Sequence, residues 1–502
     1  KHFTNLSPSR QQNHYSAFHS PINMKPLSNL LTLLVSFIFF AVRAEKPFSG
    51  PYYEELQKMM SLKSSIQNRI PPAFRRRASG TDIHFAVEPP LREQGERVYN
   101  VISYGADPSG KNDSTAALLK AFADAAQGPS NGVLTPGITN LGGVQIHLQG
   151  GIYLISQPLR FPVSQIGNIV ITGGTIRASE NFPTYGYLIE LDGTADKQAY
   201  AYEYIVFRDL MLDCNYRGGG ISVMNSLRTL LDNCFVAHFA TNGVYVESGH
   251  ETYIRNSFFG QHITIGGDPG EKNFTGIGIN LAGNDNAVTD TIVFSAEVGI
   301  MLSGQANLLT GVHCYNKATA FGGVGIYVRL PGFTQTRIVN SYLDFTGIVA
   351  EDPVQLTVSN SFFLGDAHVV LKSMKGIIDG VNIIDNQFAG TSGGIEVVQL
   401  DQSNGEFKQI SQMVVDRNMA YGMKLKSTVA RGSATGNGTS WAVDFRSQLL
   451  FPNMINQVQY SMKTMGNVFP KHALRQVSNN TVVVESDIAV AGTVFVTVDQ
   501  IA

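Results

Sequence analysis

Between Gly220 and Met419 one pattern returns every 21 to 33 residues: a glycine, then Ile or Val, any residue, then an aliphatic. It reads Gly220-Ile-Ser-Val, Gly243-Val-Tyr-Val, Gly276-Ile-Gly-Ile, Gly299-Ile-Met-Leu, Gly325-Ile-Tyr-Val, Gly347-Ile-Val-Ala and Gly394-Ile-Glu-Val, with His368-Val-Val-Leu filling the remaining rung. About a dozen residues later each unit carries a second β-branched stretch ending in Asn or Asp and an aromatic, as in Leu231-Asp-Asn-Cys-Phe and Val358-Ser-Asn-Ser-Phe-Phe. A fixed period of this length marks a repeat architecture. The units alternate as strands do and hold no helix-length apolar stripe. None is long enough to bury its own face, so stacking must build the core. The pattern predicts an all-β fold, a right-handed parallel β-helix, with Asn or Asp in left-handed corners bonding the stacked neighbour. A sandwich or propeller with chance spacing is the alternative. Eight units sharing the same two-part grammar argue against it.

The 50 glycines and only 15% charged residues suit a solenoid with many tight corners. A net charge of −2 argues against nucleic acid as a partner. It also means that an acidic polymer would need a local basic patch. Cys214, Cys234 and Cys314 are too few for a disulfide-stapled domain. Cys214 and Cys234, about one coil apart, either pair or stack buried.

Residues 1–23 are polar and are read as leader or non-native extension. Met24, Lys25, the apolar run Leu30–Phe40 and Ala41-Val-Arg-Ala44 form a secretory signal over 24–44, cut after Ala44. An N-terminal membrane anchor is the alternative, but the run is short for a span. Sequons at Asn112, Asn273, Asn437 and Asn479 agree with the secretory route and predict glycosylation. Residues 45–97 read as a lead-in, with a helix over Tyr52–Asn68 and an exposed Arg75-Arg-Arg77.

The stretch Val98-Tyr-Asn-Val-Ile-Ser-Tyr-Gly-Ala-Asp-Pro-Ser-Gly-Lys-Asn-Asp-Ser-Thr-Ala-Ala resembles the opening of pectin-active β-helix proteins, through Asn100, Val101, Tyr104, Gly105, Ala106, Gly110, Asp113, Thr115 and Ala116. That group includes the polygalacturonases and the related rhamnogalacturonase and pectate-lyase-like proteins. Gly143-Val-Gln-Ile-His-Leu and Ile171-Thr-Gly-Gly-Thr-Ile resemble its first strands. The resemblance covers about Val98 to Met419 and is strongest to plant quartet-type polygalacturonases of pollen development. Asp113 or Ser114 is placed to cap a helix over Thr115–Ala126, which would close the open end of the core. The solenoid is expected over 98–424. A small β appendage of short strands follows over 425–502, after a flexible break at Gly432-Ser-Ala-Thr-Gly-Asn-Gly.

Within each unit the Ile and Val face the core, so the residues two and four after the glycine face out. That strip carries Tyr245 and Glu247, Tyr327 and Arg329, Glu351, Lys372 and Glu396. Aromatic faces for sugar rings and cations for uronate carboxylates suit a polysaccharide groove. A solvated sheet face is the plainer reading of the same residues.

Glycosidases place two carboxylates about 5–5.5 Å apart for retention or about 6.5–9.5 Å apart for inversion. With rungs about 4.8 Å apart, the pair must come from the same or nearby rungs. Glu247 and Glu351, four rungs apart, are too distant. Asp268, Asp285 and Glu297 fall on the middle rungs, and Asp213 precedes the first clear unit. Polygalacturonases carry Asn-Thr-Asp, Asp-Asp, Gly-His-Gly and Arg-Ile-Lys on successive rungs. In one register Asn273-Phe-Thr meets the first motif, Glu297 the first of the paired acids, and Gly323-Val-Gly325 the histidine motif without its histidine. One rung earlier, Thr241-Asn242 meets the first motif and Tyr327-Val-Arg329 the last. No register is complete. Asp290 and His313 are read as structural, and His250 as a surface-loop residue. His238 and His262 show no partner in the sequence.

Three functions compete. The first is a secreted hydrolase of α-1,4-homogalacturonan, acting as a monomer by acid–base attack of water, without metal or cofactor. The resemblance implies that substrate. The second is a pectate or rhamnogalacturonan lyase, which would need Ca²⁺ held by grouped carboxylates. The third is a solenoid that binds wall polysaccharide without cutting it.

Overall fold

The computed structural model describes residues 97–193, 200–263, 275–316 and 321–501. The signal segment, the lead-in helix, Asp268 and Asn273 lie outside the described residues. Three short strands per turn stack in parallel register, building three long sheets around one core. Sheet I runs from Leu159–Arg160 and Tyr187–Leu191 through Asn242–His250 to Val398–Asp401. Sheet II carries Leu230–Asp232 through Val414–Asp416. Sheet III carries Phe235–Ala237 through Met419–Tyr421.

The glycines that start the units of sheet I fall in one column. A Cβ on Gly220, Gly243, Gly278 or Gly299 would lie 2.5–2.7 Å from the carbonyl oxygen of the next residue in the column, so no side chain fits. Ile221, Val244, Ile279, Ile300 and Ile326 follow inward, each fully buried. At about 1.5–3 kcal/mol per buried aliphatic, this column and its counterparts in the other sheets supply the stabilisation.

Two units differ from the sequence reading. Tyr245 pairs with Asn280 and Val244 with Ile279, so the glycine of that rung is Gly278, not Gly276. Ile277 is therefore only half-buried and does not face the core. Gly276-Ile-Gly-Ile-Asn-Leu contains two overlapping matches, and a shift of two keeps the alternation intact. Likewise Val369 pairs with Val398 and Lys372 with Asp401. The last rung is thus Val397-Val-Gln-Leu-Asp401, and Glu396 stands before it rather than on the strip.

Asn233, Asn256, Asn340 and Asn360 adopt left-handed φ of 54°, 51°, 52° and 50° between sheets II and III. As expected for such corners, Asn233 Nδ2 donates to Asp209 at 2.7 Å and Asn256 Nδ2 to Asp232 at 3.0 Å, one rung away. The next residue inward continues the ladder: Ser361 N–H donates to Asn386 Oδ1 at 3.0 Å and Asn386 Nδ2 to Asn418 Oδ1 at 3.0 Å.

Thr115–Ala126 is a helix. The Asp113 carboxylate accepts the N–H of Thr115 at 2.9 Å, holding its first turn. Leu118, Ala121, Phe122 and Ala125 cover the core, and the Phe122 ring sits 4.9 Å from that of Phe161. At the other end, Val429–Asp444 and Thr481–Asp499 are long antiparallel strands flanked by Gln457–Thr464 and His472–Ser478. Gly432–Gly438, expected as a break, lies inside the first of them, paired with Val490–Val496. Serine, threonine and glycine are tolerated there because the ladder bonds need no side chain. Trp441, Val443, Phe445 and Val482 form a second core. Leu450 and Phe451 join the solenoid core, and Gln500 Nε2 donates to the carbonyls of Phe451 and Met454 at 2.7 Å. The three cysteines are free and buried.

Candidate functional site

The outer face of sheet I forms a strip whose columns follow from the register. One column reads Glu190, Ser222, Tyr245, Asn280, Met301, Tyr327. Its neighbour carries Met224, Glu247 and Ala282, then Arg329, Glu351, Lys372 and Asp401 on later rungs. The rings of Tyr187 and Tyr245 lie 6.4 Å apart and 18° from parallel. Asn242 Nδ2 donates to the Tyr187 hydroxyl at 2.7 Å, and Asn280 Nδ2 to Asn242 Oδ1 at 3.2 Å. Burial, and then the hydrogen bond to Glu247, push the Tyr245 hydroxyl up to about 12. It is therefore a neutral donor to that carboxylate across the neutral range.

Further along, the Tyr327 hydroxyl donates to Glu351 at 2.6 Å, and Lys372 Nζ lies 3.5 Å from the same oxygen. Glu351 is 5% exposed and is a fixed anchor for these two groups. Lys372 is thus partly engaged. Arg329 is exposed and forms no ion pair among the described residues. Among the described residues it is the available cation of the strip.

The acids singled out in the sequence divide between the two margins. Glu297 is exposed and immediately precedes the strand Val298–Leu302. Its neighbours on adjacent rungs are Gly276 and Gly323, through Val298 N–H to Gly276 O at 3.2 Å and Val324 N–H to Glu297 O at 2.8 Å. Its carboxylate has no hydrogen-bond partner among the described residues. Asp213 stands on the same margin, three rungs away through Ala237 and Gly260 to Phe294. That is roughly 14 Å, beyond the range for a catalytic pair. Asp285 lies on the other margin, where its N–H donates to Gln305 O after the strand that Glu297 precedes. The five residues of that strand span roughly 17 Å, so Asp285 and Glu297 do not flank one bond.

Each margin carries a carboxylate–imidazole pair: His238 Nδ1 to Asp213 at 2.8 Å, and His250 Nδ1 to Asp285 at 2.9 Å. Burial pushes the Asp213 carboxyl up. The hydrogen bonds from His238 and the Asn215 N–H, with the charges of His238 and Arg177, outweigh it and hold the group below the usual carboxylate range. His250, read as a loop residue, ends the strand Asn242–His250 with the Tyr200 ring edge-on to it. Asp290 is an exposed corner, and His313 stacks on Tyr342 at 4.3 Å on sheet III, away from the strip. Among the described residues no three His, Cys, Asp or Glu side chains converge as a metal site.

Tyr187 was not singled out in the sequence because its rung, Tyr187-Leu-Ile-Glu-Leu, lacks the leading glycine. Its plain alternation was the available signal. The histidine partners were invisible because they sit on different coils.

A family model described as rhamnogalacturonase A/epimerase, pectate lyase-like, matches residues 98–323. The chain is 58% identical to polygalacturonase QRT3 of Arabidopsis thaliana over 96% of its own length and 98% of that protein. The chain belongs to the polygalacturonase family. Solved structures give more distant likenesses to this polygalacturonase-family chain. An endo-xylogalacturonan hydrolase of Aspergillus tubingensis is 10% identical, with a TM-score of 0.46 over 66% of this chain and 95% of that one. The ORF18 protein of Geobacillus virus E2 is 12% identical, with a TM-score of 0.48 over 78% and 77%. No helix among the described residues of the polygalacturonase-family chain is long and apolar enough to cross a membrane.

Proposed function

We propose that the protein is a glycoside hydrolase that cleaves α-1,4-homogalacturonan, with the polymer lying along the outer face of sheet I. The observation that carries this reading is the strip itself: the Tyr187–Tyr245 pair for sugar faces and the unpaired Arg329 guanidinium for a uronate carboxylate. The near full-length identity to a protein named polygalacturonase supports it. In this reading a protonated acid donates to the leaving oxygen while a carboxylate activates water, and no metal or cofactor enters. Glu297 is the first candidate for one of these roles, because it is exposed and flanked by glycines. Asp213 and Asp285 are too far from Glu297 to complete its pair and stand as alternatives to it; Asp268, outside the described residues, is the remaining candidate of the sequence for the second carboxylate. Tyr245, Glu247, Tyr327, Arg329 and Lys372 are assigned to substrate binding.

The test is incubation with de-esterified homogalacturonan. New reducing ends without the ultraviolet absorbance of an unsaturated product mean hydrolysis. That absorbance means elimination, and retention on pectin without cleavage means a binding solenoid.

The same reading places the mature protein in the cell wall as a monomer, beginning at Glu45 after signal removal, with glycans on its sequons. Asn112, Asn437 and Asn479 are exposed, as this requires. N-terminal sequencing and deglycosylation of secreted protein check it.

A further inference from the structure

One sheet face of the appendage is turned to solvent, and the strand register fixes what it carries. Ala434, Val458, Tyr460, Met462, Val494 and Val496 pack inward on the second core. Alternation sends their neighbours outward in three rows. The first row holds Arg431, Thr497 and Gln459. The second holds Ser433, Phe495 and Ser461, and the third holds Thr435, Thr493 and Lys463.

Phe495 is the centre of this platform. Its row neighbours are serines, too small to cover the ring, and it stays 48% exposed. The other positions bear hydroxyls, an amide and two cations, with no acid among them. Arg431 and Lys463 are exposed and form no ion pair among the described residues. They stand at opposite corners with Phe495 between them, roughly 17 Å apart by strand rise and strand spacing. Asp499, one row beyond Arg431, is tied to the Ile501 N–H at 2.8 Å. The other half of the appendage shows the usual mixture of a solvated face, where Arg475 lies 3.3 Å from Glu485.

Arg431 also lines a cavity of about 250 Å³ where the appendage meets the last coil. Asp416, Arg417, Asn418, Lys426 and Gln448 line it too. Arg417 is held by Asp385 at 2.9 Å, and Lys426 lies 3.5 Å from Glu396. The charge of both is therefore met, and Arg431 is the unpaired cation of this recess among the described residues. The platform thus begins at a polar recess and runs diagonally across an exposed ring to a second free cation.

We infer that this face of the appendage is a second binding site for acidic polysaccharide. Arg431 and Lys463 take uronate carboxylates, Phe495 takes the face of a sugar ring, and the hydroxyls between them meet those of the sugar. The site is separate from the strip of sheet I, whose last rung ends at Asp401. It rests on the homogalacturonan reading above for the choice of polymer. A chain gripped in both places is held longer than by either place alone.

Retention of the full-length protein on immobilised, de-esterified homogalacturonan tests this. N-glycans are removed first, because Asn437 points outward one row beyond Thr435. The Arg431→Ala/Lys463→Ala double variant should be retained about three- to tenfold more weakly at low salt, and high salt should close the gap to wild type. Phe495→Ala should weaken retention about three- to tenfold at any salt. On the fully methyl-esterified polymer only Phe495→Ala should differ from wild type. Arg475→Ala, at a cation already paired, should change nothing. Every variant should cleave a short oligogalacturonide within about twofold of the wild-type rate, since that substrate needs only sheet I. Wild-type retention of the acidic polymer by either the double variant or Phe495→Ala overturns the second site alone. A parallel loss of oligomer cleavage also overturns it, since the face would then belong to the groove. A wild type that is neither retained nor cleaves the oligomer overturns the homogalacturonan reading as well.

Discussion

Ile279→Ala and Ile277→Ala, compared in one experiment, test the register on which the whole groove depends. Ile279 is fully buried between Val244 and Ile300 on adjacent rungs. Truncation removes about three methylene equivalents at about 0.8 kcal/mol each. Because the stacked rungs cannot collapse into the gap, a cavity term is added, giving about 3–4 kcal/mol in all. Ile277 is half-buried at the margin, pairing with Asn242 and Val298. Its truncation should cost about 1 kcal/mol or less. The measurement is equilibrium urea denaturation followed by far-ultraviolet circular dichroism. The one tryptophan, Trp441, is buried in the appendage core, so its fluorescence reports the appendage rather than the coils. A cost at Ile277 equal to or above that at Ile279 would refute the register. It would move Asn280 away from Tyr245 and Ala282 away from Glu247, and the strip would have to be redrawn.

Other outcomes follow from the same geometry. Glu297→Gln should lower turnover on homogalacturonan by orders of magnitude while the melting temperature stays within a few degrees; full activity in a folded variant sends the search to Asp213. Arg329→Ala should raise KM for the acidic polymer about tenfold with little change in kcat, and added salt should narrow the gap to wild type. Asn386→Ala should cost about 3–5 kcal/mol by urea denaturation, since Ser361 N–H and Val358 O lose their buried partner; a loss under about 1 kcal/mol would show that the corner ladder does not carry stability. Asp213→Asn should remove a contribution that is complete above the unfolded carboxyl pKa of about 3.9 and is lost as pH falls through the depressed folded value. The stability gap between wild type and this variant should therefore shrink below about pH 4, and a gap that grows there would contradict it.

The sequence by itself determined the solenoid, because stacking writes the same demand into every coil. An inward Ile, an inward Val and a cornering Asn recur wherever the chain crosses the same column, and periodicity reports all three. Asn233 and Asn256 in left-handed corners, and the helix Thr115–Ala126 over the open end, were legible for that reason. The phase of two rungs was not. A slide of two residues leaves strand alternation unchanged, so only the hydrogen-bonded register with Tyr245 chose Gly278 over Gly276. Gly432–Gly438 was likewise decided by its partner strand, since glycine and serine say nothing of the ladder that holds them. The site was the least legible part. Its groups come one at a time from separate coils, so residues 24 or 25 apart in the chain, Tyr327 with Glu351 and Asp213 with His238, touch only after winding. The same winding set Glu297 and Asp285 on opposite margins, although the sequence holds them 12 residues apart. Distance along a solenoid chain measures position around the coil as much as position along the axis, and only the closed turn separates the two.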